Sequence, residues 1–137
     1  HDSRGVCEFL RSAADGPDIV MKSAGQLERS HCYVVDAAAA ILLALERGVC
    51  GMAYNIADRR YQMTIREFAQ KAAWAGGCQV ACEAPSELEQ RGYSRVKRMV
   101  LDASRIEALG WRPEKTPCKA IEETVRILRE CEAKYGN

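Results

Sequence analysis

Apolar residues recur at helical spacing in five stretches of the chain, and at strand spacing in short runs between them. Over 3–14, Val6, Phe9, Leu10 and Ala13 fall at i, i+3, i+4 and i+7, one face of an amphipathic helix. Asp2 or Ser3 can cap its start, and Asp15-Gly16-Pro17 stops it. Residues 18–22 read as a short strand and 23–30 as a polar loop around Gly25. Residues 31–34 read as a second strand, with Cys32 and Val34 opposite His31 and Tyr33. Asp36 is expected to cap a helix over 37–47. Ala38, Ile41, Leu42 and Leu45 form its apolar stripe, Gly48 ends it, and its alanines permit close packing. A further strand is expected over 52–57.

A polar turn over 58–62 follows. Thr64-Ile65-Arg66-Glu67 is a capping box opening a helix to about residue 75, with Ile65, Phe68, Ala69 and Ala72 inward. Gly76-Gly77 closes that helix, and 79–83 alternates as a strand. Residues 85–98 are polar and unpatterned, and 99–101 suggests a brief strand. Asp102 caps a short helix carrying Ile106 and Leu109, ended by Gly110. Thr116 caps the last helix with Pro117 at its first position, where proline is favoured. Ile121, Thr124, Val125 and Leu128 make its inner face; Glu122–Arg126, Arg126–Glu130 and Glu130–Lys134 can pair outside. The alternation implies an α/β fold of short, partly parallel strands packed with about five helices.

At 137 residues the chain is sized for one domain with a real core. Its 20 basic and 19 acidic residues balance, so no basic field points to nucleic acid. No apolar run reaches the roughly 20 residues of a membrane helix, and the N-terminus lacks the basic-then-apolar signal pattern. The seven cysteines (7, 32, 50, 78, 82, 118, 131) form no C-x-x-C pair and have only His1 and His31 beside them. They read as reduced thiols of a cytoplasmic protein; a metal or redox role for them is the competing reading.

Candidate chemistry is sparse. The chain has no glycine-rich phosphate loop, and two histidines cannot supply a plausible Ser-His-Asp set. Asp36, Asp58 and Asp102 sit at expected caps or turns. Arg29 lies in a loop near Gly25, where a guanidinium suits bidentate recognition of phosphate or a sugar hydroxyl. Arg91, Arg95, Lys97 and Arg98, with Tyr93, form a second candidate anion site. On spacing alone a solvated arginine explains the first feature more simply, and a solvated face the second.

Three motifs together change that weighting. G-x-x-x-R-x-x-x-Y-V-x-D (Gly25, Arg29, Tyr33, Val34, Asp36) precedes an alanine-rich helix. G-x-x-Y-N-I follows (Gly51, Tyr54, Asn55, Ile56), then L-D-A-S-R-I-x-x-L-G-W-x-P over 101–113. In this order and spacing the chain resembles the NAD-dependent epimerases and dehydratases of nucleotide sugars, in the extended short-chain dehydrogenase class. The resemblance implies the C-terminal part of a Rossmann-type enzyme: residues 1–137 as one substrate-binding fragment, with the N-terminal NAD-binding part absent. It implies no catalytic residue here, because Tyr33 and Tyr61 are followed four residues on by Ala37 and Ile65 rather than lysine. Arg29 matches an arginine near the ribose or diphosphate, and Arg91, Arg95 and Arg98 are alternatives for a second diphosphate arginine. Asp36 matches a helix-capping residue, and 54–56 matches a strand at the edge of the dinucleotide-binding sheet.

What the resemblance implies for an intact enzyme is NAD as cofactor, a UDP- or dTDP-hexose as partner, a homodimer, and transient oxidation followed by epimerisation or dehydration. The fragment itself is expected to be inactive and without a cofactor or metal of its own. A freestanding, non-catalytic nucleotide-sugar or protein-interaction module is the alternative.

Overall fold

A computed structural model describes residues 5–86 and 96–135. Helix α1 (Gly5–Asp15) leads into strand β1 (Ile19–Met21), and strand β2 (Glu28–Ser30) into helix α2 (Val34–Arg47). A 3-10 turn (Arg59–Tyr61) runs into strand β3 (Gln62–Thr64) and helix α3 (Ile65–Gly76). Strands β4 (Val80–Cys82) and β5 (Arg98–Met99), helix α4 (Ser104–Ala108) and helix α5 (Pro117–Tyr135) complete the described order. The expected α/β architecture of five helices and partly parallel strands is therefore present among the described residues.

Two small sheets form. β1 pairs in parallel with β4, Ile19 opposite Val80. β2 is the centre of the other sheet, antiparallel to β3 (Arg29 opposite Met63) and parallel to β5 (Arg29 opposite Met99). Helices α1, α3 and α5 pack together over the main core of Phe9, Ala13, Ile19, Met21, Tyr61, Met63, Phe68, Ala69, Ala72, Ala73, Ala120, Ile121 and Val125. Small residues set how closely these helices approach: a Cβ on Gly76 would meet the Ala13 carbonyl oxygen of α1 at 2.4 Å. At the far end, the Arg129 guanidinium of α5 donates to the carbonyls of Ala13, Ala14 and Gly76. It thereby satisfies acceptors that the C-terminal turns of α1 and α3 leave open.

A second core gathers Ala40, Ala57, Ala103, Ile106 and Trp111. Here the expectation for Asp36 needs correcting. Helix α2 begins at Val34, three residues earlier than expected, with Tyr33 at the cap position and no side-chain cap bond. Asp36 lies inside the first turn and is only 5% exposed. Its carboxylate accepts from the backbone N–H of Glu114 (3.0 Å) and Lys115 (3.4 Å), and its carbonyl accepts from the Trp111 indole (2.9 Å). The carboxylate fastens a distant segment rather than its own helix. Asp58 repeats the device on the other side. Also buried, it binds Arg60 through both oxygens, and Arg60 donates onward to the carbonyls of Pro113 and Lys115.

The early strands shift too. The strand expected over 31–34 is instead β2 over Glu28–Ser30, inside the segment expected to be a polar loop. Its side chains carry no apolar alternation, because both its edges are paired and neither face is fully buried. The turn expected over 58–62 gives way to β3 at Gln62, the antiparallel partner that β2 requires. Residues 52–57 form no assigned strand, since no ladder partner reaches them among the described residues. The capping box at Thr64 and Glu67 is formed in both directions, and Pro117 opens α5 as expected. Of the outer-face pairs on α5, Arg126–Glu130 is made (2.6 Å).

The apolar stripe of α2 is present but faces outward. Ile41, Leu42 and Leu45 are exposed, Leu45 by 79%, beside exposed Val34, Val35, Val49 and Met52. The buried side chains of this helix are instead Asp36 and Ala40.

Replacing Asp36 with alanine leaves the part-buried N–H groups of Glu114 and Lys115 without their acceptor. We expect a loss of about 2–3 kcal/mol in urea unfolding, with Asp36→Asn recovering part of it. His31 provides a pH test. It packs against Tyr61 and Phe68 at ring-centroid distances of 5.5 and 5.1 Å. Burial, then the Arg29 charge, hold its pKa below the ordinary 6.5. The unfolded chain therefore takes up this proton first, so stability falls as pH drops below about 6.5. Glu28, Glu67, Glu123 and Asp102 have lowered pKa values, so their contributions are lost at lower pH, from the ordinary carboxylate range downward. Denaturant midpoints between about pH 6.5 and 5 should decline in the wild type and flatten in His31→Phe.

Candidate functional site

The loop into β2 fixes where Arg29 stands. Gly25 adopts φ +65° and is buried, and a Cβ there would meet Met21 Cε at 2.3 Å and the Arg66 backbone nitrogen at 2.9 Å. Only glycine fits that conformation and that space. The Gly25 carbonyl accepts from Arg66 N (3.0 Å), and Ile65 N donates to the Leu27 carbonyl (3.0 Å). The loop is thus tied to the start of α3, and the chain enters β2 at Glu28.

On β2 successive side chains take opposite faces. Glu28 and Ser30 share one face with Gln62, Thr64 and Arg98; Arg29 shares the other with Met63 and Met99. The first face is a closed network. The Glu28 carboxylate accepts from Gln62 Nε2 (2.7 Å) and Arg98 Nε (2.9 Å). The Gln62 amide, followed by Arg98, holds its pKa low. Ser30 Oγ accepts from Leu101 N (2.9 Å).

Arg29 is half-buried and lies on a strand, not in the expected loop. Its Nη1 donates to the Glu28 carbonyl (2.8 Å) and its Nη2 to the Val96 carbonyl (3.1 Å). Two of its five N–H donors are so used, and a guanidinium has three more in the same plane. Arg98 is engaged with Glu28 across the sheet, so the structure does not bring Arg29 and Arg98 to one face. Arg91 and Arg95, the other two arginines of the candidate set, lie outside the described residues.

The thiol and phenol candidates around β2 are held in their protonated forms. Burial, then the Asp36 and Asp58 carboxylates, push the Cys32 thiol up to about 11. Burial foremost raises Tyr61, and burial with Glu123 raises Tyr33. No disulfide joins any of the seven cysteines, and no group of three His, Cys, Asp or Glu side chains among the described residues could hold a metal. No helix among them is long and apolar enough to cross a membrane. What the site offers is a rigidly mounted cation without a partner base, suited to holding an anionic group. The roles of Asp36, Asp58 and Arg60 as tertiary fasteners were not visible in the motifs. The partners of Asp36 and the carbonyl acceptors of Arg60 lie more than 50 residues away in sequence, and local spacing carries no sign of them.

The protein-family model for the NAD dependent epimerase/dehydratase family matches residues 1–57. The Low-salt glycan biosynthesis protein Agl12 of Haloferax volcanii is 29% identical over 114 residues, covering 83% of this chain and 36% of that protein. Among solved structures, dTDP-glucose 4,6-dehydratase from Bacillus anthracis, in complex with NAD, shares the fold at TM-score 0.78 and 19% identity, covering 97% of this chain and 41% of that one. UDP-glucose 4-epimerase from Thermotoga maritima, with UDP-glucose, gives TM-score 0.78 at 22% identity, covering 95% and 40%. DesIV, the dTDP-glucose 4,6-dehydratase of Streptomyces venezuelae, with NAD and TYD bound, gives TM-score 0.77 at 25% identity, covering 98% and 41%. The chain thus spans about two-fifths of the length of these relatives. The match over 1–57, which contains Arg29, Asp36 and the Y-N-I motif, agrees with the shared fold, and in that segment the chain is similar to the NAD dependent epimerase/dehydratase family.

Proposed function

We propose that these 137 residues are the nucleotide-sugar-binding part of a longer epimerase or dehydratase. The observation that carries this reading is Arg29, held on the central strand of a three-stranded sheet within the segment that matches the family. Its spare donors take the diphosphate of a UDP- or dTDP-hexose. An arginine of the 91–98 segment supplies the second contact. Because Arg98 is occupied with Glu28 on the opposite face, Arg91 and Arg95 remain the candidates in this reading. These residues bind and orient; none of them moves a proton or a hydride.

NAD, in this reading, supplies transient oxidation of the sugar. The present residues do not fit its diphosphate: the sequence has no glycine-rich strand-to-helix turn. We therefore assign the dinucleotide to another part of the longer protein and derive no step through it. The outward stripe of α2 and the unpaired 52–57 segment support the same view. A row of exposed leucine, isoleucine and valine this long is the pattern of a covered face.

Calorimetric titration of the 137-residue chain with UDP-glucose and dTDP-glucose should show weak binding, in about the millimolar range. Arg29→Ala should weaken it at least about tenfold, or 1.4 kcal/mol. In the longer enzyme the same substitution should raise the substrate KM while leaving NAD affinity unchanged. An unaltered KM contradicts the assignment. Leu42→Lys and Leu45→Lys should cost the isolated chain no more than about 0.5 kcal/mol, as exposed positions do. In the longer protein they should lower the melting temperature by several degrees. Equal tolerance in both contexts contradicts a covered face.

A further inference from the structure

A second concavity lies away from Arg29. Glu67, Gln70, Lys71 and Trp74 fall at i, i+3, i+4 and i+7 on α3, one stripe of that helix. Cys118 and Glu122, one turn apart on α5, stand across from them. The two stripes bound a groove of about 430 Å³. Its walls are preformed, because α3 and α5 are locked from beneath by Phe68, Ala69, Ala72, Ala120, Ile121 and Val125. A ligand entering it therefore meets little cost of ordering the walls.

Trp74 is 72% exposed, whereas Trp111, the other tryptophan, is 3% exposed and hydrogen-bonded. A large indole left open in a rigid groove is a stacking surface, and tryptophan is prominent among residues that dominate binding energy. The polar groups around it sort into used and free. Glu67 is committed to the capping box, and Lys71 Nζ lies 3.6 Å from Cys118 Sγ. Among the described residues no hydrogen bond engages the Trp74 indole N–H, the Gln70 amide or the Glu122 carboxylate.

Two carboxylates against one ammonium make the groove unsuited to an anion. Its residues include no three-ligand metal cluster either. What remains is an aromatic plane ringed by an amide, a carboxylate and an ammonium. A pyranose ring matches it: its C–H face lies on the indole, and its hydroxyls, each both donor and acceptor, meet Gln70, Glu122 and Lys71. We propose that the α3–α5 groove is a binding site for the uncharged hexopyranose ring of a glycan or glycoside, separate from the Arg29 site.

Methyl glycosides of glucose, galactose and mannose are the probes. The 137-residue chain should show a saturable change in tryptophan emission with at least one of them, at about millimolar concentrations. Saturation-transfer NMR, which does not depend on the indole reporter, should fall at least about tenfold in Trp74→Phe and several-fold in Gln70→Ala. Both positions are exposed, and an unchanged melting temperature verifies the fold of each variant. Arg29→Ala should leave glycoside binding intact, so failure of the nucleotide-sugar reading and failure of this one are distinguishable. Four results would overturn the proposal. They are no saturable response up to about 50 mM of any glycoside, binding that persists in Trp74→Phe, uridine binding more tightly than every glycoside, or emission that shifts with protein concentration alone, as burial of Trp74 by a second copy would cause.

Discussion

The buried carboxylate of Asp36 joins two parts of the chain that local sequence keeps apart. It accepts from the backbone of Glu114 and Lys115, while its own carbonyl receives the Trp111 indole. Helix α2 is thereby pinned to the connection between α4 and α5. Asp58 and Arg60 grip the same connection through Pro113 and Lys115. A charge this deeply buried is tolerated only when its lone pairs are filled, and removing an acceptor costs more than its hydrogen bonds contribute. The second core of Ala40, Ala57, Ala103, Ile106 and Trp111 closes around this clamp.

From the clamp outward, the rest of the site follows. The chain running from β2 to α2 has one end held by Asp36 and the other by the ladders to β3 and β5. Gly25 sets the entry to β2, and the Glu28–Gln62–Arg98 network fills one face of the sheet. Arg29 is left on the other face, its guanidinium braced by two backbone carbonyls. A cation so braced has lost most of its side-chain freedom before a ligand arrives, which favours binding. The carboxylate on the same strand, Glu28, is taken up by Gln62 and Arg98 on the opposite face, which fits a binding role for Arg29 separated from the chemistry.

Elements set by local rules were legible in the sequence. The apolar face of α1, the capping box of α3, the proline start of α5 and the β1 and β4 runs all appear where spacing and caps put them. What could not be read depends on partners far along the chain. β2 is polar, so periodicity hides it, and only its two neighbours make it a strand. Asp36 looks like a cap because it sits between an apolar pair and an alanine run, yet its acceptor sites serve residues 78 and 79 positions later. The stripe on α2 was visible, but a pattern states only that a face is apolar, not what covers it. Arg29 was singled out by resemblance; spacing alone could not separate it from a solvated arginine, and its brace on Val96 is a product of the folded sheet.

The central claim is that Arg29 is the diphosphate contact. A crystal structure of the chain with UDP or dTDP bound tests it directly. The account predicts diphosphate oxygens within about 3 Å of the Arg29 guanidinium, on the Met63–Met99 face of the sheet. A diphosphate bound elsewhere, with Arg29 holding only the Glu28 and Val96 carbonyls, would contradict it.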